Sequence, residues 1–180
     1  LAMPVIHSPM LLSFARRADS ESIDSLREIL FEGRSAFQWD SDNLQKGETK
    51  SVLAGGNLSL LYSLLGIGLS DYMAGKILFI EDTGEHLYRL DRMLMSLGLA
   101  GVFKRISGLI VGGISDIQEN DNDFGAGIEE IVLNALGRDD IPVAFDFPAG
   151  HIADNRAFYL GREYFFRVDT LNAVLSCLDC

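Results

Sequence analysis

Three polar side chains, Asn57, Glu81 and His151, each follow an apolar, strand-like run in this sequence. In an open α/β sheet, ligands bind outside the carboxyl ends of the strands. If the three runs form parallel strands, these side chains meet at one edge of the sheet. A carboxylate beside an imidazole fixes the histidine tautomer and stabilises the imidazolium during proton transfer. The pattern therefore predicts a general acid–base site.

The histidine follows Pro148-Ala149-Gly150, where proline and glycine favour irregular backbone over a helix. A histidine on such a loop can project into a cleft and act first as a general base and then as a general acid. The alternative is a loop histidine that bonds a nearby carbonyl group. For Glu81 the alternative is an acid stabilised by the dipole of the next helix, a role that suits Asp82 and Glu85 better.

A nucleophile for this pair is harder to find. Ser115 follows a strand-like run and Gly112-Gly113, but the second glycine of a nucleophile-elbow motif is missing, so we predict that it is not the nucleophile. Gly55-Gly56 and Gly112-Gly113 are placed as phosphate-binding turns would be, yet neither completes G-x-G-x-x-G. Close approach to a substrate and simple tight turns remain open for both glycine pairs.

Metal chemistry is the other possibility to weigh. Four candidate ligands lie within residues 81–86, but they do not form an H-E-x-x-H motif. Cys177 and Cys180 form a C-x-x-C pair, which suits a redox pair or half a zinc site, whereas zinc takes four ligands and no second pair accompanies them. We predict no metal and no cofactor, and interpret the cysteines as part of a C-terminal tail.

The amino-acid composition restricts the kinds of partner that this chain can bind. The 180 residues include 15 Lys and Arg against 26 Asp and Glu, a net charge of −11. Proteins that bind nucleic acid neutralise phosphates with clustered basic residues, so we predict no nucleic-acid partner. The longest apolar stretch, Leu58–Leu69, is shorter than the roughly 20 residues that a membrane span needs. It is typical of a buried helix, and we predict no membrane partner.

Strand-like and helical patterns alternate along most of the chain. Helices are predicted at 20–33, at about 58–65, from 87 to 98 and at 128–136. Strands are predicted at 35–41, 51–54, 77–80, 109–111, 141–147 and 173–175, with a hairpin formed by 157–160 and 164–168. This alternation predicts the α/β class, with a mixed sheet, flanking helices and one domain over 1–180.

Four segments in this order resemble the LD-carboxypeptidases, serine peptidases related to muramoyltetrapeptide carboxypeptidase. The segments are Ile-His-Ser-Pro-Met at 6–10, Gly-Gly-Asn-Leu-Ser-Leu-Leu at 55–61, Gly-Lys-Ile-Leu-Phe-Ile-Glu-Asp-Thr-Gly-Glu at 75–85 with Tyr88, Asp91 and Arg92 following, and Pro-Ala-Gly-His at 148–151. The resemblance extends over nearly the whole chain.

This resemblance implies a Ser-Glu-His triad in which Glu81 and His151 are the catalytic glutamate and histidine. The family's nucleophile lies in a Gly-Tyr-Ser-Asp motif of an N-terminal domain, so we expect this chain to be the C-terminal domain, inactive alone, with the family's swivelling β/β/α fold. Asn57, with Gly56 beside it, matches a position that lines the family's substrate site.

The implied reaction removes the terminal D-alanine from murein tetrapeptides during cell-wall recycling in the cytoplasm. Expected partners are the murein peptide and the N-terminal domain, and association into a homodimer is left open. Relatives that cleave microcin C-type peptide-nucleotides carry a lysine near the position at which this sequence has the acidic Glu85. This difference favours the carboxypeptidase. The alternatives are such an immunity peptidase, or a non-catalytic α/β ligand-binding module in which Glu81 and His151 are structural.

Overall fold

A computed structural model describes residues 3–10, 21–41, 45–118 and 125–179. The strands are β1 (Val5–His7), β2 (Ala36–Asp40), β3 (Gly47–Asn57), β4 (Ile77–Thr83), β5 (Gly108–Ser115), β6 (Val143–Ala144), β7 (Phe158–Leu160), β8 (Glu163–Val168) and β9 (Asn172–Cys177). The helices are α1 (Glu21–Glu32), α2 (Leu58–Ser63), α3 (Leu69–Met73), α4 (Leu87–Leu99), α5 (Val102–Arg105) and α6 (Ile128–Leu136), with a 3₁₀ turn at Leu65–Ile67.

Seven strands form one mixed sheet in the order β2-β9-β8-β3-β4-β5-β6, and β1 pairs with β7 in a separate ladder. The long strand β3 joins the two halves of the large sheet. Its first half pairs antiparallel with β8, and its second half pairs parallel with β4. The remaining neighbours, β4 with β5 and β5 with β6, are also parallel. The mixed α/β class and the flanking helices are confirmed.

Alternation along the strands separates the core into two apolar layers. Leu78 and Ile80 of β4 pack with α2 to α6 on one face of the sheet. Ile77 and Phe79 pack on the other face with aromatic residues of β2, β7 and β8. Since these four side chains are fully buried and Glu81 and Asp82 are buried as well, β4 is a central strand whose first partly exposed residue is Thr83.

Helix ends follow the glycines of the sequence. α6 stops at Leu136 because Gly137 adopts a left-handed conformation, with φ of 64°, and donates its N–H to the carbonyl of Leu133. α1 is followed in the same way by Gly33, with φ of 68°. Ser20, at which this helix was predicted to begin, lies outside the described residues.

Several predicted elements differ from the structure in their bounds, and one differs in its pairing. The strand predicted at 51–54 extends over β3, and the strand predicted at 141–147 is regular only at Val143–Ala144. The hairpin prediction is wrong: β7 pairs with β1, whereas β8 pairs with β3 and β9. Strand partners are set by contacts distant in sequence, which the local apolar pattern does not contain. No helix in the described ranges has both the length and the apolar character to cross a membrane.

Candidate active site

Glu81 lies where β4 leaves the core. Its strand neighbours Ile77–Ile80 are buried on both faces, and Glu81 itself remains 4% exposed. In β3 the residue directly beside it is Asn57, and on the other side the pairing of β4 with β5 shifts by one residue between Ile80 and Asp82. Such a β-bulge changes the direction of side chains at the end of a strand.

The partner of this buried carboxylate is His151. Nδ1 of the imidazole lies 2.6 Å from Oε2 of Glu81. An ionised carboxylate only accepts hydrogen bonds, so Nδ1 carries the proton and donates it to Glu81. In the neutral ring the other nitrogen, Nε2, then carries a free lone pair, and the side chain of His151 is 52% exposed. The geometry is therefore that of a base oriented by a carboxylate.

Three glycines allow the loop that carries His151 to reach Glu81. A Cβ on Gly112 would lie 2.5 Å from the carbonyl oxygen of Ala149, and a Cβ on Gly113 would lie 2.3 Å from Ile152. Gly150 has φ of 112°, and a Cβ there would lie 2.8 Å from Cβ of Glu81. The loop is thus in direct contact with β5 and β4. Gly112 and Gly113 belong to β5 rather than to a turn, and their missing side chains make room for this loop, an explanation that the sequence analysis did not consider.

A cavity of about 830 Å³ opens over this pair. Its lining includes both members of the pair, together with His7, Thr83, Asp116 and Asn155. The half-exposed imidazole of His151 is therefore accessible from this cavity.

Ser115 lies at the same edge of the sheet but does not face the ring. Its hydroxyl donates to the backbone carbonyl oxygen of His151, at 2.7 Å. The described residues contribute no hydroxyl that bonds Nε2 of His151. This geometry agrees with the prediction that Ser115 is not the nucleophile.

Asn57 begins α2 and is occupied by local structure. Its Oδ1 accepts from the backbone N–H of Leu60 at 3.2 Å, as an N-cap does, and its Nδ2 donates to Asp82 at 2.9 Å. The role of Asn57 in substrate binding stays a prediction. Gly56, beside it, has open space where a Cβ would stand, so the backbone is accessible there.

Asp82 was predicted to be an acid at the N-terminus of the helix that follows it, and the structure places its carboxylate at the N-terminus of α2 instead. Asp82 is 3% exposed and points to the face of the sheet opposite to Glu81. Its carboxylate accepts from the N–H and the hydroxyl of Ser59, from Asn57, and from the N–H of Thr83. Asp82 therefore fixes the start of α2 against the end of β4.

The remaining candidates from the sequence do not converge. His86 lies 3.1 Å from the carbonyl oxygen of Gln118 through Nδ1 and stacks on Tyr88. Over the described part of the chain, no three His, Cys, Asp or Glu side chains are grouped as a metal ion would require. Cys177 ends β9, and Cys180 lies outside the described residues.

His7 is the site residue that the sequence analysis missed. It belongs to segment 6–10, one of the four segments on which the family resemblance rests, but no chemical role was predicted for it. In the structure His7 lines the cavity and lies 2.9 Å from Oδ1 of Asn155 through Nε2. Burial lowers the pKa of His7, so its imidazole is neutral at neutral pH. One feature of the sequence could have identified His7: it is a polar residue that interrupts an apolar, strand-like run.

Comparison with known proteins places the chain beside one group of peptidases. Residues 50–165 match the family model described as the LD-carboxypeptidase C-terminal domain. The murein tetrapeptide carboxypeptidase of Pseudomonas aeruginosa is 30% identical over 118 residues, covering 65% of this chain and 38% of that protein. The chain spans about half or less of the length of the curated relatives that it matches first.

Solved structures agree with this comparison. The muramoyltetrapeptide carboxypeptidase of Oxalobacter formigenes superimposes with a TM-score of 0.86 at 27% identity, covering 99% of this chain and 62% of that one. The microcin C7 self-immunity protein MccF, in complex with aspartyl sulfamoyl adenosine, gives a TM-score of 0.76 at 20% identity, with 97% of this chain and 61% of that chain covered. The second similarity shows a shared fold.

Proposed function

Since the chain belongs to the LD-carboxypeptidase family and matches its C-terminal domain, we propose that it supplies the histidine and glutamate of a serine carboxypeptidase. The proposed reaction is hydrolysis of the bond before the terminal D-alanine of a murein tetrapeptide, in the cytoplasm, during cell-wall recycling. The serine nucleophile and the oxyanion hole would come from an N-terminal domain of the same protein. Residues 1–180 would form one domain that is inactive alone.

In this mechanism His151 moves the proton. Nε2 of His151 accepts the proton of the serine hydroxyl as the oxygen attacks the carbonyl carbon. The same nitrogen then donates that proton to the amine of the departing D-alanine. Glu81 holds the Nδ1–H tautomer through the 2.6 Å hydrogen bond and stabilises the imidazolium while it exists. Backbone N–H groups of the other domain would stabilise the oxyanion.

The observation that carries the proposal is the asymmetry of the pair. Glu81 is almost wholly buried, whereas the side chain of His151 is half exposed and lines the cavity. Here the carboxylate is protected from water while the imidazole is accessible from the cavity, which is the arrangement that a base needs when its nucleophile belongs to another domain.

A second substrate class has a specific observation in its favour. The fold is shared with MccF, whose solved complex contains an aspartyl sulfamoyl adenosine. One residue argues against this alternative. Such peptidases carry a lysine near the position of Glu85, whereas in this chain the Glu85 carboxylate pairs with Arg89 at 3.4 Å. A carboxylate in place of a lysine removes a positive charge that would favour an anionic peptidyl-nucleotide. We therefore prefer the murein peptide.

The test measures release of D-alanine from a murein tetrapeptide by mass spectrometry, with a peptidyl-nucleotide assayed in parallel. The 180-residue chain alone should release none. The same chain joined to the nucleophile-bearing domain should hydrolyse the tetrapeptide, and His151→Ala should abolish that activity. Cleavage of the nucleotide alone would transfer the proposal to the immunity peptidases. Full activity in His151→Ala, with the fold intact by circular dichroism, would support a non-catalytic ligand-binding role instead.

A further inference from the structure

His7 is a half-buried titratable side chain in the cavity that the proposed mechanism does not use. It ends β1, where it pairs with Phe158 of β7. Its ring stacks on Phe158, with centroids 4.8 Å apart, and meets the edge of Phe79 at 6.0 Å. The ring is thus held in one orientation by strand pairing and by two aromatic neighbours.

The hydrogen bond from this ring has a defined direction. Oδ1 of Asn155 lies 3.0 Å from the backbone nitrogen of Gly150, and a backbone N–H can only donate. The amide atom that faces Gly150 is therefore the oxygen. The same oxygen lies 2.9 Å from Nε2 of His7, so that nitrogen carries the proton. Burial lowers the pKa of His7, in agreement with a neutral ring.

Asn155 closes the loop that contains His151. The His151 loop, residues 149–155, begins where Ala149 accepts from the N–H of Gly113 at 2.8 Å. It ends at Asn155, whose backbone N–H donates to the hydroxyl of Ser22 at 3.0 Å. Between these anchors, the side chain of Asn155 reaches back to Gly150. His151 is the next residue, so the orientation of that side chain bears directly on the placement of the base.

We infer that His7 is a positioning residue for His151: its Nε2–H fixes the amide of Asn155, which holds Gly150 and so keeps the imidazole of His151 against Glu81. This role rests on the proposed function only for its effect on catalysis. The structural part concerns the chain itself and is measurable without substrate. A side chain that misplaces a base by about 1 Å can cost roughly 100-fold in rate.

Two substitutions of His7 separate hydrogen bonding from packing. His7→Phe keeps a planar ring against Phe158 but removes the donor. His7→Gln replaces the Nε2–H by an amide N–H and gives up the ring. If His7 acts only by packing, Phe is the milder change; if it acts through Asn155, Gln is the milder change.

The first measurement is ¹⁵N NMR of the 180-residue chain at a pH where the imidazoles are neutral. In the unmodified chain and in His7→Gln, we expect the Nδ1–H tautomer of His151 and a low-field amide proton for Gly150. His7→Phe should shift the Gly150 amide upfield and mix the two tautomers of His151. Unchanged signals in a folded His7→Phe would overturn the inference.

A second pair of variants tests the step from Asn155 to Gly150, on which the inference depends, if His7→Phe does not fold. Asn155→Asp retains an oxygen that can accept from both neighbours, whereas Asn155→Leu has none. We expect the Gly150 and His151 signals to be retained in Asn155→Asp and to be lost in Asn155→Leu. Loss with both, or with neither, would contradict it.

The catalytic effect is measured with the nucleophile-bearing domain present. His7→Phe should lower kcat about 10- to 100-fold with KM little changed, and His7→Gln should restore most of it. If the unmodified protein hydrolyses no tetrapeptide, the proposed function fails, while the NMR comparison still decides the role of His7. If the protein is active and His7→Phe leaves kcat unchanged, the positioning role fails and the proposed function stands.

Discussion

The carboxylate of Glu81 lies 2.6 Å from Nδ1 of His151, although 70 residues separate the two in sequence. Two different structures bring them together: the last part of a buried parallel strand and a loop that packs on the glycines of the neighbouring strand. Neither partner is placed by its own element alone. The contact therefore depends on the close approach of the β5 backbone to the His151 loop. Substitutions in β5 should displace the imidazole of His151 even where they do not contact it.

The first prediction concerns Gly112→Ala. The new methyl group would meet the carbonyl oxygen of Ala149, and backbone cannot give way as a side-chain tip can. We expect the variant to lose about 1–3 kcal/mol of unfolding free energy, measured by urea denaturation. The His151 loop should move away from Glu81.

Gly66→Ala is the matched control, because a Cβ at Gly66 meets nothing within 4 Å. Its stability should change by no more than about 0.5 kcal/mol. Equal effects of the two substitutions would show that the loop does not depend on close approach at Gly112.

A second prediction concerns the buried carboxylate on the helix side of the sheet. Asp82→Ala removes the acceptor for Ser59, Asn57 and the N–H of Thr83 and leaves these donors without their partner. We expect a loss of about 2–4 kcal/mol in the free energy of unfolding. Asp139→Ala, at an exposed acid, should cost no more than about 0.5 kcal/mol. A similar small cost at Asp82 would contradict its proposed role in fixing α2.

A third prediction follows from a phenol in the aromatic layer. Tyr164 is fully buried and bonds the hydroxyl of Ser35 at 2.8 Å. Burial raises the pKa of Tyr164 to about 12. The unfolded chain ionises this group near pH 10, so it binds fewer protons than the folded chain between pH 10 and 12.

The stabilising effect of neutral Tyr164 is therefore complete below pH 10 and is lost as the pH rises towards 12. The loss amounts to about 2–3 kcal/mol. Urea denaturation between pH 9 and 12 should show this decline in the unmodified chain. Tyr164→Phe should show a shallower decline over the same interval, and an identical slope would refute the assignment to Tyr164.

Part of the fold was predictable because its causes are local. The amphipathic period and the following glycine mark α1 and α6, and four consecutive apolar residues mark the buried first part of β4. The candidate pair followed from one general rule, that parallel strands carry their functional residues at the carboxyl edge.

The rest depends on contacts that no local pattern records. The segments of β7 and β8 have the appearance of a hairpin, yet β7 pairs with β1 near the other end of the chain. Asp82 follows Glu81 directly, and only the alternation of a strand that continues to Thr83 places the two carboxylates on opposite faces. The link from His7 to Asn155 joins residues 148 positions apart, so it is visible only after folding.

The most direct test of the account is a double-mutant cycle on Glu81 and His151, measured as D-alanine release with the nucleophile-bearing domain present. Glu81→Gln alone should lower kcat about 10³- to 10⁴-fold, because the amide no longer fixes the tautomer of the base. In the His151→Ala background the same substitution should lower the residual rate less than about twofold, since the two side chains act as a unit. Equal losses in both backgrounds, or full activity of Glu81→Gln, would contradict a shared catalytic role for the two residues.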